Sequence, residues 1–380
     1  MYLPYKHSAT GTTIFTVMSA LATECGAINL SQGFPDFAID ERLAGLIHEA
    51  TTGNFNQYAP MSGLPLLRHA IAKDLHARYG LSVDADSEVT VTPGATYGIY
   101  TAFTSFLQPN DEVIVLEPAY DSYIPNIEMN QAKAVCVPLL APAFTVDWNT
   151  VKAAVTPKTR AIIINTPHNP TGATWDKEDW DELANLVRDT NIIVVSDEVY
   201  EQLVFDGKKH FSVLQHEELK ERSFAIFSFG KVFNNTGWKI GYVVAPTLLT
   251  QAFRHVHQFI AFSINTPAQY AIANYLSQES LPDIGALMQR KRDYFLNLIK
   301  GLPFSINQAA SGSYFQTVGY NLINDMPDLE FAKWLTKEYG VATIPLSPFY
   351  SSKKDDKLIR FCFAKKEETL DEAVSRLSKL

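Results

Sequence analysis

The chain has 380 residues, 46% hydrophobic and 19% charged, which excludes a disordered polymer and leaves room for two units around a substantial core. A formal net charge of −9 without any basic run argues against a general nucleic-acid surface, which needs clustered Lys and Arg. No apolar stretch nears the roughly 20 residues of a membrane helix, and the N-terminal MYLPYKHSATGTTIF lacks secretory or transit character, so a cytoplasmic chain that makes no membrane contact is expected.

The first forty residues end in the SQGFPDF turn around Pro35; they are expected to form an arm or to join the C-terminal unit. Short apolar runs follow at Glu112–Leu116, Ala134–Leu139, Ala161–Ile164, Ile192–Val195, Phe224–Phe227 and Gly241–Ala245. They read as buried strands of a mostly parallel sheet. Between two of them, Asp176–Arg188 places Trp180, Leu183, Ala184 and Val187 at helical spacing, which makes a β-α-β unit and an α/β class. Beyond residue 275 the pattern shifts to helical stretches near Leu281–Ile299 and Leu329–Glu338, with strand-like segments at Gly312–Val318 and Leu358–Phe363. The expected division is a large unit of 41–275 and a smaller α+β unit of 1–40 with 276–380.

In open α/β sheets ligands gather at the carboxyl ends of strands. There this chain places NTPHNPTG (165–172), SDEVY (196–200) and SFGK (228–231). Taken alone, Lys231 reads as an ordinary loop lysine, and Asp197 equally as a turn or N-cap residue. Together they suit a desolvated amine that forms a Schiff base, beside a buried carboxylate. Gly94, Ala95 and Thr96 stand where the VTVTP run gives way to a helical pattern, so their amides can face an anion. Arg360 reads either as a surface salt-bridge residue or, flanked as it is by Leu358, Ile359, Phe361 and Phe363, as a planar fork in an apolar setting that would suit a carboxylate. The three cysteines Cys25, Cys136 and Cys362 are expected to be reduced core residues. The nine histidines show no metal-ligand spacing, so no metal is expected.

Taken together, TPGAT (92–96), NTPHNPTG, SDEVY, SFGKVFNNTGWKIG (228–241) and LIRFCFAK (358–365) resemble the class I/II group of fold type I pyridoxal-phosphate aminotransferases, over essentially the whole chain. SQGFPDF, NQYAPMSG, SDEVYEQL, SINTPAQ and IRFCFAKKE point to the branch of bacterial methionine and kynurenine aminotransferases. The resemblance implies pyridoxal 5'-phosphate held by Lys231, with Asp197 on the ring nitrogen, Asn169 and Tyr200 on the ring hydroxyl, and Tyr120 stacked on the ring. It implies Gly94, Ala95, Thr96, Ser228 and Lys239 on the phosphate, and Tyr58 reaching the phosphate of a neighbouring subunit in a homodimer. Catalysis falls to Lys231, Asp197 and Tyr200. The amino-acid or 2-oxo-acid carboxylate falls to Arg360, Asn169 and the Gly33 backbone, and side-chain preference to Ile14 and Phe15 with the partner subunit's Ile264 and the partner subunit's Asn265. Apolar Ile14 and Phe15 favour methionine and other large apolar or aromatic amino acids over aspartate. A cysteine-conjugate β-lyase shares every motif, and a regulatory protein that keeps the cofactor without turnover is the reading from another class.

Overall fold

The computed structural model describes residues 6–7 and 11–380. Its strands are β1 (Ile28–Asn29), β2 (Val89–Thr92), β3 (Glu112–Glu117), β4 (Lys133–Pro138), β5 (Thr159–Asn165), β6 (Ile193–Asp197), β7 (Ser223–Ser228), β8 (Gly241–Val244), β9 (Phe315–Gly319), β10 (Val341–Ala342), β11 (Ile344–Pro345) and β12 (Leu358–Cys362). Seven of them form one sheet in the order β2-β8-β7-β6-β5-β3-β4. Only β8 runs against its neighbours β2 and β7; the remaining pairs are parallel. Strands buried on both faces must be apolar throughout, and the residues divide by alternation. Ile114, Ile162, Ile164, Val194 and Phe227 point into one hydrophobic cluster; Val113, Val115, Ile163, Val195 and Ile226 point into the other.

The helices are α1 (Ile14–Cys25), α2 (Glu41–Thr52), α3 (Pro65–Tyr79), α4 (Ala95–Phe106), α5 (Tyr123–Met129), α6 (Trp148–Ala154), α7 (Lys177–Val187), α8 (Phe229–Val232), α9 (Thr247–Ile260), α10 (Thr266–Leu276), α11 (Ile284–Ile299), α12 (Asp328–Tyr339) and α13 (Glu367–Leu377). Local chemistry explains their ends. Asp176 and Asp179 form a capping box that starts α7, whose Trp180, Leu183, Ala184 and Val187 are buried, as the period of the sequence requires.

A second sheet, β11-β12-β9, is antiparallel. The N-terminal segment lies with it, because β1 pairs in parallel with β10 and α1 packs against α12. The cysteines depart from the expectation of a uniform core set. Cys362 is buried and Cys136 half-buried, but Cys25 is exposed, since it closes α1 on that helix's outward side.

Candidate active site

Parallel register brings three strand ends level, with Asn165 opposite Asp197 and Asp197 opposite Ile226. The loops beyond them enclose a cavity of about 310 Å³ that Phe315 and Arg360 close from the smaller sheet. It is lined by Phe15, Gly33, Gly94, Ala95, Thr96, Tyr120, Asn169, Asp197, Tyr200, Ser228, Lys231, Lys239 and Arg360. Sequence positions from 15 to 360 therefore meet in one chamber.

Lys231 sits in α8, one short turn beyond β7. Its Nζ donates to the Gly33 carbonyl at 3.3 Å and lies 5.7 Å from the ring centres of both Tyr200 and Tyr314. Desolvation lowers its pKa to about 8, with Lys239 and Arg360 pushing the same way and Asp197 opposing. A free amine is thus available near neutrality. Asp197 is 4% exposed and accepts from Tyr123 Oη at 2.5 Å and the Val199 amide at 3.4 Å. Burial raises its pKa to about 6, against those hydrogen bonds and the nearby Lys231; a cation placed beside it would restore the carboxylate.

The Asn169 side chain is fixed through its backbone: its amide donates to Asn165 Oδ1 at 2.8 Å, while Asn165 Nδ2 donates to the Asp197 carbonyl at 2.9 Å. Asn169 Oδ1 then accepts from Arg360 Nη1 at 2.6 Å, and the Ser31 carbonyl accepts from Nη2 at 2.8 Å. Arg360 is fully buried, and burial lowers its pKa to about 10. Its guanidinium lies 3.8 Å from the ring centre of Phe315, 5.2 Å from Phe15 and 5.8 Å from Phe349. No carboxylate pairs with it among the described residues, and its Nε has no partner. A buried cation left in this state is costly unless an anion joins it.

At the other end of the cavity, Gly94 has φ +85° and opens α4 without a side-chain cap. A Cβ at Gly94 would lie 3.5 Å from both Cε and Nζ of Lys239. An uncapped helix N-terminus, a lysine and the hydroxyl-bearing Ser228 make an anion cradle. The chamber thus offers two anion sites, with the amine and a buried carboxylate between them.

Several contributors escaped the sequence reading. Tyr123 donates to Asp197, Tyr314 Oη donates to the Gly33 carbonyl at 2.5 Å, and Phe315 forms the face beneath Arg360. A Cβ at position 33 would lie 2.7 Å from Phe315 Cζ, so glycine permits that approach. Gln32, Asn165 and Thr236 also line the cavity. Asn165 opens a motif already singled out, and Tyr123 closes the EPAYDSY stretch, but an aromatic residue after a strand carries no signal that separates it from core. Two expected residues lie apart from the cavity walls. Tyr58 is 83% exposed, and Ile14 packs on the cluster of Met18, Ile344 and Phe349. Ile264 is buried, and the Asn265 side chain caps α10 by accepting from the Ala268 amide at 2.9 Å.

The chain is 46% identical over 379 residues to a methionine aminotransferase of Escherichia coli (strain K12), covering 97% of this chain and 96% of that one. A solved structure of YbdL from Escherichia coli, described as identifying a methionine aminotransferase function, superposes with a TM-score of 0.97 at 44% identity, covering all of both chains. A kynurenine–oxoglutarate transaminase of Dictyostelium discoideum is 34% identical over 423 residues, covering 100% of this chain and 97% of that one. The sequence model of the class I and II aminotransferases matches residues 26–377. With its Lys231 chamber and a match across nearly its whole length, the chain belongs to the class I and II aminotransferase family.

Proposed function

We propose that this aminotransferase binds pyridoxal 5'-phosphate and passes the amino group of methionine, or of another large apolar or aromatic amino acid, to a 2-oxo acid in two half-reactions. The observation that carries this reading is the buried, carboxylate-free Arg360 facing the same chamber as the low-pKa amine of Lys231. The names of the relatives supply the substrate class.

Bound pyridoxal phosphate supplies the electron sink that lets a proton leave the substrate's α-carbon. The amides of Gly94, Ala95 and Thr96, with Ser228 and Lys239, hold its phosphate. Asp197 stabilises positive charge on the ring nitrogen, and the Tyr123 hydrogen bond orients that carboxylate. Asn169 and Tyr200 would hold the ring hydroxyl, and Tyr120 would supply an aromatic wall for the ring. Arg360 grips the α-carboxylate in a bidentate fork. An amine with a pKa near 8 is matched to both directions of proton transfer, so Lys231 Nζ would take the α-proton as base and deliver it as acid to the cofactor's C4′ carbon. Phe15, Phe315 and Phe349 keep water from the Arg360 end and present an apolar surface to the substrate side chain.

The active unit in this reading is a homodimer in which Tyr58 serves the partner's phosphate site; its 83% exposure supports a role outside its own chamber. Residues 41–275 act as the large unit and 1–40 with 276–380 as the small one, supported by their separate sheets. Three cysteines without a disulfide among the described residues support a reducing compartment such as the cytoplasm. No helix among the described residues is long and apolar enough to cross a membrane.

Single half-reactions test the substrate reading. Methionine, leucine and phenylalanine are expected to convert the pyridoxal form to the pyridoxamine form faster than aspartate does. Faster conversion by aspartate sinks it, and release of pyruvate and ammonia without a 2-oxo acid would instead mark an elimination enzyme.

A further inference from the structure

Alternate carbonyls of the segment that carries Tyr58 are pinned by side chains from α9, α10 and the turn between them. Thr266 Oγ1 donates to the Gln57 carbonyl at 2.6 Å, Ser263 Oγ to Ala59 at 2.9 Å and His257 Nε2 to Met61 at 3.0 Å. Every second carbonyl from 57 to 61 is therefore held by a side chain. Tyr58, between two of the pinned residues, projects outward with its ring meeting Phe262 edge-on at 5.4 Å.

His257 is tied at both ring nitrogens. A carbonyl only accepts, so Nε2 carries the ring proton, and Nδ1 accepts from the Tyr97 hydroxyl at 2.9 Å. The ring is fully buried, and desolvation keeps it neutral. Tyr97 is the third residue of α4, directly after the amides that form the anion cradle. One imidazole thus joins the floor of the cradle to the Tyr58 segment. Either pin alone could be ordinary packing. A ring whose two nitrogens face these two partners is a mechanical link between them.

We propose that His257 is a positioning residue that, in one fixed tautomer, couples each subunit's phosphate cradle to the Tyr58 it lends to the partner's site. This rests on the homodimer reading above. Removing the link leaves Tyr58 present but poorly aimed, so the loss should appear as weaker cofactor phosphate binding.

The test titrates the apoprotein with pyridoxal 5'-phosphate, reading its absorbance, for the parent, Tyr58→Phe, His257→Phe, His257→Gln, Tyr97→Phe and the Tyr58→Phe/His257→Phe double variant. Loss of one well-placed hydrogen-bonded link should weaken binding about 10-fold in His257→Phe. His257→Gln, which keeps a donor and an acceptor, should stay within about three-fold of the parent. The double variant should bind no more weakly than Tyr58→Phe, because both changes remove one function. Tyr97→Phe keeps the ring and provides the same direction of effect should His257→Phe fail to fold. Parent-like affinity in both Tyr97→Phe and His257→Phe, a glutamine variant as weak as the phenylalanine one, or losses that add in the double variant overturns the inference alone. A monomer in sedimentation, or parent-like affinity in Tyr58→Phe, overturns the homodimer reading and the inference with it.

Discussion

Lys231 and Arg360 are both cations deprived of water, yet the deprivation serves them differently. For Lys231 it frees a lone pair. Replacing Lys231 with alanine should abolish transamination while leaving the circular dichroism spectrum unchanged, and turnover near the parent rate would overturn its role. The pH dependence follows from the sign of the shift: the reactive form is the neutral amine, so uptake of pyridoxal phosphate by the apoprotein should rise through about pH 8 and then level off. An unperturbed lysine would keep rising past pH 10. For Arg360 the deprivation stores an unmet demand for an anion. In the proposed reading Arg360→Lys keeps the charge but loses the planar fork, and with it one of the two hydrogen bonds to the substrate carboxylate. One charge-assisted hydrogen bond is worth about 1.5–3 kcal/mol, so KM for methionine should rise on the order of 10- to 100-fold.

Among the elements, α4 shows how much of a site a backbone can make. Gly94 holds φ +85° and ψ 169°, a region essentially reserved for glycine that costs a side-chain-bearing residue about 1–3 kcal/mol. Gly94→Ala should therefore bind pyridoxal phosphate more weakly and lower the melting temperature, both measurable on the purified protein. The strands and their terminal motifs were legible in the sequence because each motif is contiguous and follows an apolar run: Asn169, Asp197, Ser228 and Lys231 could be placed on one edge without coordinates. The reversed direction of β8 was not legible, since Gly241–Ala245 has the same apolar look whichever way it runs. Nor were Tyr123, Tyr314, Phe315 and Phe349. Their roles arise from contacts between residues far apart in the chain, and an aromatic side chain looks the same in a core as over a guanidinium.

At the scale of the whole molecule, the end of β3 is one of the places where the large unit meets the small one. Glu117, at the end of β3, accepts from the Ser351 amide at 2.6 Å and its hydroxyl at 3.1 Å. The Ala119 amide donates to the Phe349 carbonyl at 2.8 Å, and the Phe349 ring lies 5.8 Å from that of Phe15. Glu117→Ala removes both acceptors from Ser351, whose exposed donors can turn to water, and should cost about 0.5–1.5 kcal/mol in chemical denaturation. Glu117→Gln keeps an acceptor and should cost less. Sedimentation should find a particle of twice the 42.4 kDa chain mass. The antiparallel return of β8 has a further consequence. Ser228 and Gly241 are locked opposite each other across β7 and β8, so residues 229–240 form a closed excursion bearing both Lys231 and Lys239. The span between amine and phosphate cation is thus a ruler written in one short loop. In the function proposed above, an aldehyde phosphate must meet Lys231 and Lys239 together, and this loop fixes how far apart their backbones stand.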